Sequence, residues 1–407
     1  MRYVIIGNST AGIACIEAIR KNDKKGEIVV ISNEKYHTYG RPLISYYLLG
    51  KTDENRMKYR PDDFYVKNNC ETKFGVEVTN IDHKNKKVKL SDGEEVNYTK
   101  LLVATGSSPF IPKMDGLDRV KNKFTFMTLD DAKALDKAIK KKSKVLIIGA
   151  GLIGLKCAEG ISGKVDDITI VDLADRILPS ILDAEGSAMV QKHLEKIGFK
   201  FILNDSVDKF TENTATLKSG KKLDFDVVVV AVGVKPNTSL FAETGGKVNK
   251  GIVVDKDSKT SIEDIYAAGD CAESYDICAH TNRILALLPN AYLQGEAAGY
   301  SMTKNEHSFE NAIPMNAIGF LGQHIITAGV YEGKQYKEVT EDSYKVLFYD
   351  NDKLNGYILI GDVARAGIYT SLIRNQTPLS EIDFELIKEK PQLMAFTSEK
   401  RNEMINK

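Results

Sequence analysis

The sequence predicts an α/β fold of two dinucleotide-binding units and a smaller C-terminal α+β domain, from two internal repeats and one change of pattern. An apolar strand runs into a glycine-rich turn and then a helical stripe twice, first from Tyr3 and again from Val145. A second motif of glycine turn, amphipathic strand, buried strand, glycine and proline also occurs twice, and residues 220–236 lie over residues 93–109 without a gap. Recurrence of a whole supersecondary unit carries more weight than either glycine turn alone. After residue 313 the pattern changes to short strand-like runs, which marks the third domain.

Composition narrows the function classes. The 407 residues suffice for two or three domains with sizeable cores. Lys and Arg balance Asp and Glu at 56 each, which gives no electrostatic case for nucleic acid or a membrane surface as partner. Met1-Arg2 leads straight into the first strand, and no apolar run approaches the roughly 18 residues of a membrane span, so the expected location is cytoplasmic. Five dispersed cysteines (Cys15, Cys70, Cys157, Cys271, Cys278) suit reduced thiols. None pairs at C-x-x-C spacing and the six histidines are scattered, so no metal site is expected.

In the first unit Tyr3-Val4-Ile5-Ile6 is the strand, Gly7-Asn8-Ser9-Thr10-Ala11-Gly12 the turn, and Ile13, Ile16 and Ile19 the helical stripe. Gly7 permits the sharp turn, Gly12 lets the helix lie close to the strand, and free N–H groups at the helix start face a pyrophosphate. The middle glycine of G-x-G-x-x-G is Ser9, so a small side chain stands where backbone must approach phosphate. Ile28 to Ile31 is the next strand, and Glu34 just past it is placed to accept from ribose hydroxyls. Pro42 fits the first turn of a short helix. Arg41 is either a surface arginine or a fixed positive charge beside a ligand. Residues 72–90 are expected to form an antiparallel meander, with Val76-Glu77-Val78 and Val88-Lys89-Leu90 as strands. Leu101-Leu102-Val103-Ala104-Thr105-Gly106 is a buried strand ending where backbone can approach a ligand. Residues 110–144 form a linker and a helix whose Lys137, Lys140, Lys141 and Lys142 are a solvated face or a basic docking patch.

The second unit has the complete G-x-G-x-x-G of Gly149-Ala150-Gly151-Leu152-Ile153-Gly154, and Asp172 closes the strand that follows. Its repeat of the second motif ends at Gly233 and Pro236. The strand from Ile262 has no glycine loop of its own, so it is expected to return to the first sheet, where Asp270 either aims at the first ligand or caps the next helix. Pro289-Asn290-Ala291 opens a further helix whose N-terminus points the same way. Strands at 318–321, 344–349 and 357–360, with turns at Asp350-Asn351-Asp352 and Asn355-Gly356, build the C-terminal domain. The charged tail after Pro391 carries no motif. Expected boundaries are 1–111 and 239–310 for the two parts of the first unit, 112–238 for the second and 311–407 for the last.

The two dinucleotide loops, the Ala-Thr-Gly and Ala-Val-Gly strand ends, and Tyr266-Ala-Ala-Gly-Asp270-Cys-Ala-Glu273 resemble the FAD- and NAD(P)H-dependent pyridine nucleotide-disulfide oxidoreductase superfamily over nearly the whole chain. Tyr39-Gly40-Arg41-Pro42, the Pro289 helix start and Leu354-Asn-Gly356-x-x-x-Ile360-Gly361-Asp362 most resemble NADH:rubredoxin oxidoreductases and the flavin part of assimilatory nitrite reductases. The resemblance implies two Rossmann-like domains, for FAD and NAD, and a C-terminal interface domain. It implies that Gly7, Ser9, Thr10, Ala11 and Gly12 cradle the FAD pyrophosphate, that Glu34 binds its adenosine ribose and that Val78 meets the adenine through its backbone. Ala104, Thr105 and Gly106 then line the flavin side, Arg41 and Pro42 lie close to the isoalloxazine, Asp270 holds the ribityl chain and the Pro289 helix start faces the flavin. In the second unit Gly149, Gly151, Leu152, Ile153 and Gly154 take the nicotinamide cofactor's pyrophosphate, Asp172 its ribose, and Gly233 allows close approach.

Two departures from that family stand out. Many relatives carry Glu two residues after the last glycine of the second loop, where this chain has Lys156, and no cysteine lies between Cys15 and Cys70 to place sulfur beside a flavin. The implied reaction is hydride transfer from NADH to FAD, then electron release to a rubredoxin-like redox protein; the alternatives are an NADH oxidase reducing oxygen and a flavin-bearing subunit of a larger complex. The protein contributes alignment and the cofactors the chemistry. A carboxylate at Asp172 predicts NADH over NADPH. Arg41 is the one candidate for a direct role near the flavin, and the sequence admits either a monomer or a homodimer.

Overall fold

The apolar run at the start of the chain becomes β1 (Arg2–Ile6), buried from Tyr3 onward, in the computed structural model, which describes residues 1–396. α1 (Thr10–Asn22) leads to β2 (Glu27–Ser32), parallel to β1 with Ile6 opposite Ile31. Pro42 sits in the first turn of a 3-10 segment, Arg41–Leu43, that runs into α2 (Ile44–Leu48). α3 (Phe64–Lys67) precedes β3 (Cys70–Phe74). The meander expected from Thr72 starts later, because β3 pairs in parallel with β2 as an outer strand of the first sheet. Gly75, at φ +76°, separates it from the true meander of β4 (Val78–Asp82), β5 (Lys87–Leu90) and β6 (Glu95–Asn97). As an edge strand β3 keeps Glu71 and Thr72 exposed, which hides its parallel pairing from a pattern that expects parallel strands to be apolar throughout.

β7 (Lys100–Val103) and β8 (Ser107–Pro109) complete the first motif. The second unit opens with β9 (Lys123–Phe124) and α4 (Leu129–Ala138), whose start is fixed by a capping box between Thr128 and Asp131. α4 ends at Ala138, so of the four lysines only Lys137 is helical, and Lys140, Lys141 and Lys142 lie exposed beyond it. β10 (Lys144–Ile148), α5 (Leu152–Ile161), β11 (Asp167–Val171), α6 (Ala184–Lys196) and β12 (Lys200–Ile202) are followed by a second meander of β13 (Val207–Phe210), β14 (Thr214–Leu217) and β15 (Lys222–Asp224). β16 (Val227–Val230) and β17 (Val234–Pro236) close the unit. The strand lengths and gaps of β6, β7 and β8 recur unchanged in β15, β16 and β17. β8 pairs antiparallel with β17, and Ser108 lies opposite Lys235, its own counterpart in the repeat, so the two units meet about a local two-fold axis.

After α7 (Ser239–Ala242) the chain returns through β18 (Ile265–Ala267), which pairs with β7 and gives the first sheet the order β18-β7-β1-β2-β3. The second sheet runs β12-β11-β10-β16-β9. A hairpin of β19 (Ser274–Asp276) and β20 (Thr281–Arg283) precedes α8 (Leu288–Met302). α8 lies against α1 through glycines: a Cβ on Gly295 would stand 2.1 Å from the Ala11 carbonyl oxygen, and one on Gly299 2.7 Å from that of Cys15. The two helices therefore run in the same direction, and their N-termini open to the same side of the sheet.

The C-terminal domain is an antiparallel sheet of β21 (Met315–Phe320), β22 (Gln323–Gly329), β23 (Lys334–Val339), β24 (Tyr344–Asp350) and β25 (Lys353–Ile360), in the order β21-β22-β25-β24-β23, with α9 (Ala366–Arg374) and α10 (Phe384–Glu389). Asn355-Gly356 is no turn but lies inside β25. Gly356 is needed there because a Cβ would meet the Val330 carbonyl oxygen at 2.3 Å. The expectation for the tail after Pro391 extends outside the described residues.

Candidate functional site

The loops at the carboxyl ends of β1, β2 and β7 border a cleft, open to solvent, whose lining includes Gly7, Ser9, Glu34, Arg41, Val78 and Thr105. Gly7 has φ +120°, and a Cβ there would stand 2.1 Å from the Ala104 carbonyl oxygen; a Cβ on Gly12 would stand 2.1 Å from that of Gly7. Turn, helix and strand are thus in backbone contact. Ser9 caps α1 without a side-chain hydrogen bond, which leaves the N–H groups of the first turn, at Thr10, Ala11 and Gly12, free to meet an anion. A glycine cradle with open helix donors fits the pyrophosphate of a dinucleotide.

Arg41 lines the cleft. Its guanidinium is ion-paired with Glu34, to whose other oxygen the Tyr39 hydroxyl donates at 2.6 Å, while Pro42 is exposed behind it. Arg41 follows the nearest fixed negative charge in a half-buried cleft, as charge-assisted pairing favours. Its field also reaches Asp270. Burial raises that carboxyl above the usual carboxylate range, and the Ser107 hydroxyl, which donates to it at 2.9 Å, and Arg41 oppose the rise. Asp270 is therefore tied to the start of β8, and no helix takes it as a cap. Gly106 follows Thr105 directly, and Pro289 stands exposed in the first turn of α8.

Sequence reasoning missed Asn237, Asn8 and Tyr65. The Thr105 hydroxyl donates to the Asn237 carbonyl at 2.7 Å and the Asn237 amide donates back to the Thr105 carbonyl at 2.9 Å, so Asn237 clamps the strand end. It directly follows the repeat, where Phe110 stands in the other copy, and that difference was its one visible signal. Tyr65 donates to the Asn8 side-chain oxygen at 2.5 Å, and nothing in the sequence pattern connects the two.

The second loop reproduces the first. Gly149 has φ +113°, with a Cβ position 2.3 Å from the Ala231 carbonyl oxygen, and that of Gly154 is 2.0 Å from the Gly149 oxygen. A Cβ on Gly151 would meet no protein atom within 4 Å, which explains how the equivalent position accepts Ser9. Leu152 and Ile153 form the first turn of α5. Asp172 accepts from the Ala150 N–H at 2.6 Å and the Ala174 N–H at 2.8 Å, so its carboxylate is already held against the loop. Val171 lies opposite Ile148 as Ile31 lies opposite Ile6, so the register counterpart of Asp172 is Ser32, not Glu34. Gly233 accepts from the Phe110 N–H at 2.9 Å where the units meet. Lys156 is turned to the C-terminal domain: it pairs with Glu159, donates to the Gly319 carbonyl at 3.2 Å and lies 4.6 Å from the Tyr46 ring centre.

None of the five cysteines is among the residues lining the first cleft. Cys15, Cys157 and Cys271 are fully buried, and burial raises all three thiols. Cys70 and Cys278, half-buried, are pushed up to about 11 and about 12 by the same cause. All five are neutral small side chains at ordinary pH.

Two dinucleotide cradles at the carboxyl ends of two parallel sheets, joined across β8 and β17, define an oxidoreductase that brings two nucleotide cofactors together. The chain belongs to the pyridine nucleotide-disulphide oxidoreductase family, whose model matches residues 1–295, and residues 314–377 match the rubredoxin NAD+ reductase C-terminal domain. It is 30% identical to the NADH-dependent phenylglyoxylate dehydrogenase subunit epsilon of Aromatoleum evansii over 94% of this chain and 93% of that one. It is 36% identical to an NADH oxidase of Methanocaldococcus jannaschii over 76% of this chain and 71% of that one. The crystal structure of NADH:rubredoxin oxidoreductase from Clostridium acetobutylicum superposes with a TM-score of 0.76 at 28% identity, covering 94% of this chain and 97% of the other. The family and its NADH–rubredoxin oxidoreductase members use FAD and NADH. Among the described residues no helix is long and apolar enough to cross a membrane.

Proposed function

We propose that this protein oxidises NADH with FAD held in the first cleft and passes the electrons to a small redox protein of rubredoxin type. The observation that carries the proposal is the pairing of two matched glycine cradles with a first cleft that has no sulfur in its lining. FAD supplies the hydride-accepting and electron-releasing chemistry when bound. The residues of the chain hold and orient. Gly7, Ser9, Thr10, Ala11 and Gly12 present backbone N–H groups to the FAD pyrophosphate; Glu34, fixed by Arg41 and Tyr39, accepts from its ribose; Val78 borders the adenine end. Ala104, Thr105 and Gly106, clamped by Asn237, form the flavin wall, with Asp270 and the Pro289 helix start beside it. Gly149, Gly151, Leu152, Ile153 and Gly154 receive the NADH pyrophosphate, Asp172 its ribose, and Gly233 lets it approach the junction. The neutral, dispersed thiols suit the cytoplasm and give no route to a disulfide substrate.

A second reading, oxygen as acceptor, is favoured by the 36% identity to an NADH oxidase; a third, a flavin-bearing subunit, by the end-to-end match to a dehydrogenase subunit. Anaerobic NADH reduction followed by a panel of rubredoxin, ferredoxin, oxygen and disulfides decides among them. Fast reduction with slow reoxidation by air and fast reoxidation by rubredoxin is expected. A flavin that stays oxidised under NADH would end the proposal.

A further inference from the structure

The local two-fold axis between β8 and β17 carries the strand end of one unit onto that of the other. The Asn237 N–H donates to the Gly106 carbonyl at 2.9 Å, and the Phe110 N–H donates to the Gly233 carbonyl at 2.9 Å. In the register of the repeat, Ala104, Thr105, Gly106 and Asn237 correspond to Ala231, Val232, Gly233 and Phe110. The match holds in space as well. The Ala104 and Ala231 carbonyl oxygens stand 2.1 and 2.3 Å from the Cβ positions of Gly7 and Gly149, the first glycines of the two loops.

In the first unit Thr105 and Asn237 line the nucleotide cleft and are tied together by two hydrogen bonds. Valine and phenylalanine side chains can make neither bond, so the equivalent wall of the second unit is apolar. Val232 and Phe110 are 39% and 47% exposed, and Val234 and Ile111 nearby are 37% and 53% exposed. Large apolar groups left open together, on two segments hydrogen-bonded to each other, mark a surface that a ligand covers. The patch is continuous with the second cradle, because the Val232 nitrogen stands 3.2 Å from the Cβ position of Gly149.

The sheet order decides which part of a ligand arrives there. β11, which leads to Asp172, and β16, which leads to Val232, flank β10 on opposite sides. A dinucleotide whose pyrophosphate crosses the glycine turn after β10, with its adenosine ribose at Asp172, must lay its other half over the end of β16. We propose that Phe110 and Val232 form an apolar seat for the nicotinamide half of NADH, at the place where the first unit carries its polar clamp. This rests on the NADH reading of the second cradle.

The test is calorimetric titration of the oxidised, FAD-loaded protein with two ligands that cannot give hydride: ADP-ribose, which lacks the nicotinamide, and a tetrahydro analogue of NADH, which keeps a neutral ring. The parent binds the analogue more tightly than ADP-ribose. Phe110→Ser weakens the analogue about tenfold, the order expected for losing one buried apolar side chain, and leaves ADP-ribose within about twofold. Phe110→Leu keeps most of the affinity. Val232→Thr, which has the shape of the parent side chain and so keeps the fold, weakens the analogue selectively by a smaller factor. Phe110→Ser and Val232→Thr proteins that bind both ligands as the parent does, or that lose both equally, overturn the seat while leaving NADH in the second cradle. A parent that binds neither ligand overturns both readings.

Discussion

Arg41 and Glu34 are ion-paired within the first cleft, and Tyr39 donates to the second oxygen of the same carboxylate at 2.6 Å while accepting from the Leu129 N–H at 3.0 Å. Each carboxylate oxygen keeps a further lone pair, so the two donors orient Glu34 without blocking ribose hydroxyls. Hydrogen bonds to a charged group contribute about 1.5–3 kcal/mol. Arg41→Met is therefore expected to weaken FAD binding roughly tenfold or more, and Tyr39→Phe by less. Fluorescence titration of the apoproteins checks both. An unchanged Kd in each would show that Glu34 is positioned by something else.

Gly149 and Gly151 separate the fold's needs from the ligand's. A side chain at Gly149 is strained at φ +113° and drives a Cβ to 2.3 Å from the Ala231 carbonyl, whereas at Gly151 no protein atom lies within 4 Å. Gly149→Ala is expected to cost several kcal/mol, at least the ~1–3 of a strained backbone position, and to be lost to aggregation or degradation. Gly151→Ala should fold with the parent's thermal stability and show a raised KM for NADH. Equal melting temperatures for the two variants would contradict this.

Both nucleotide units were legible because their glycines and apolar strands are local in sequence and recur. The register of β6 to β8 against β15 to β17 is already present in the gapless match of residues 93–109 with residues 220–236. What escaped depended on contacts between distant segments. Asn237 clamps Thr105 across a sequence separation of 132 residues, and Arg41 turns to Glu34 because of charge proximity in space. β23 was missed because an outer strand of sequence Lys-Gln-Tyr-Lys-Glu-Val buries none of its side chains. Asn355-Gly356 reads as a turn in the sequence because a glycine that permits backbone approach and one that permits a bend are the same letter.

Asp172 is held by the Ala150 and Ala174 N–H groups at the end of β11, which fixes its negative charge at the second loop. A 2′-phosphate at ~4 Å would be repelled by about 4 kcal/mol per unit charge at an effective dielectric of ~20. That corresponds to roughly a thousandfold in affinity. kcat/KM is accordingly expected to favour NADH over NADPH by a factor of that order, and Asp172→Ala to erase most of the difference. A parent protein that prefers NADPH would mean that Arg176 or a neighbouring lysine outweighs the carboxylate.

Lys156 and Glu159 form a nearly buried pair, with side chains 18% and 3% exposed, at the place where α5 meets the tip of the β21–β22 hairpin. Glu159 also accepts from the Leu321 N–H at 3.0 Å, and Leu321 has φ +47°, a strained value for a branched side chain in a tight turn. The pair therefore secures a hairpin that its own backbone disfavours. Removing one member of a buried pair leaves the other charge uncompensated and costs about 3–5 kcal/mol, whereas replacing both by apolar groups can be nearly neutral. Lys156→Met and Glu159→Leu singly should each lower the melting temperature by several degrees. The double variant should recover part of the loss, short of full recovery because the Leu321 N–H stays unpaired. Circular dichroism melts of the parent and three variants close the cycle, and strictly additive losses would show that the two side chains act independently.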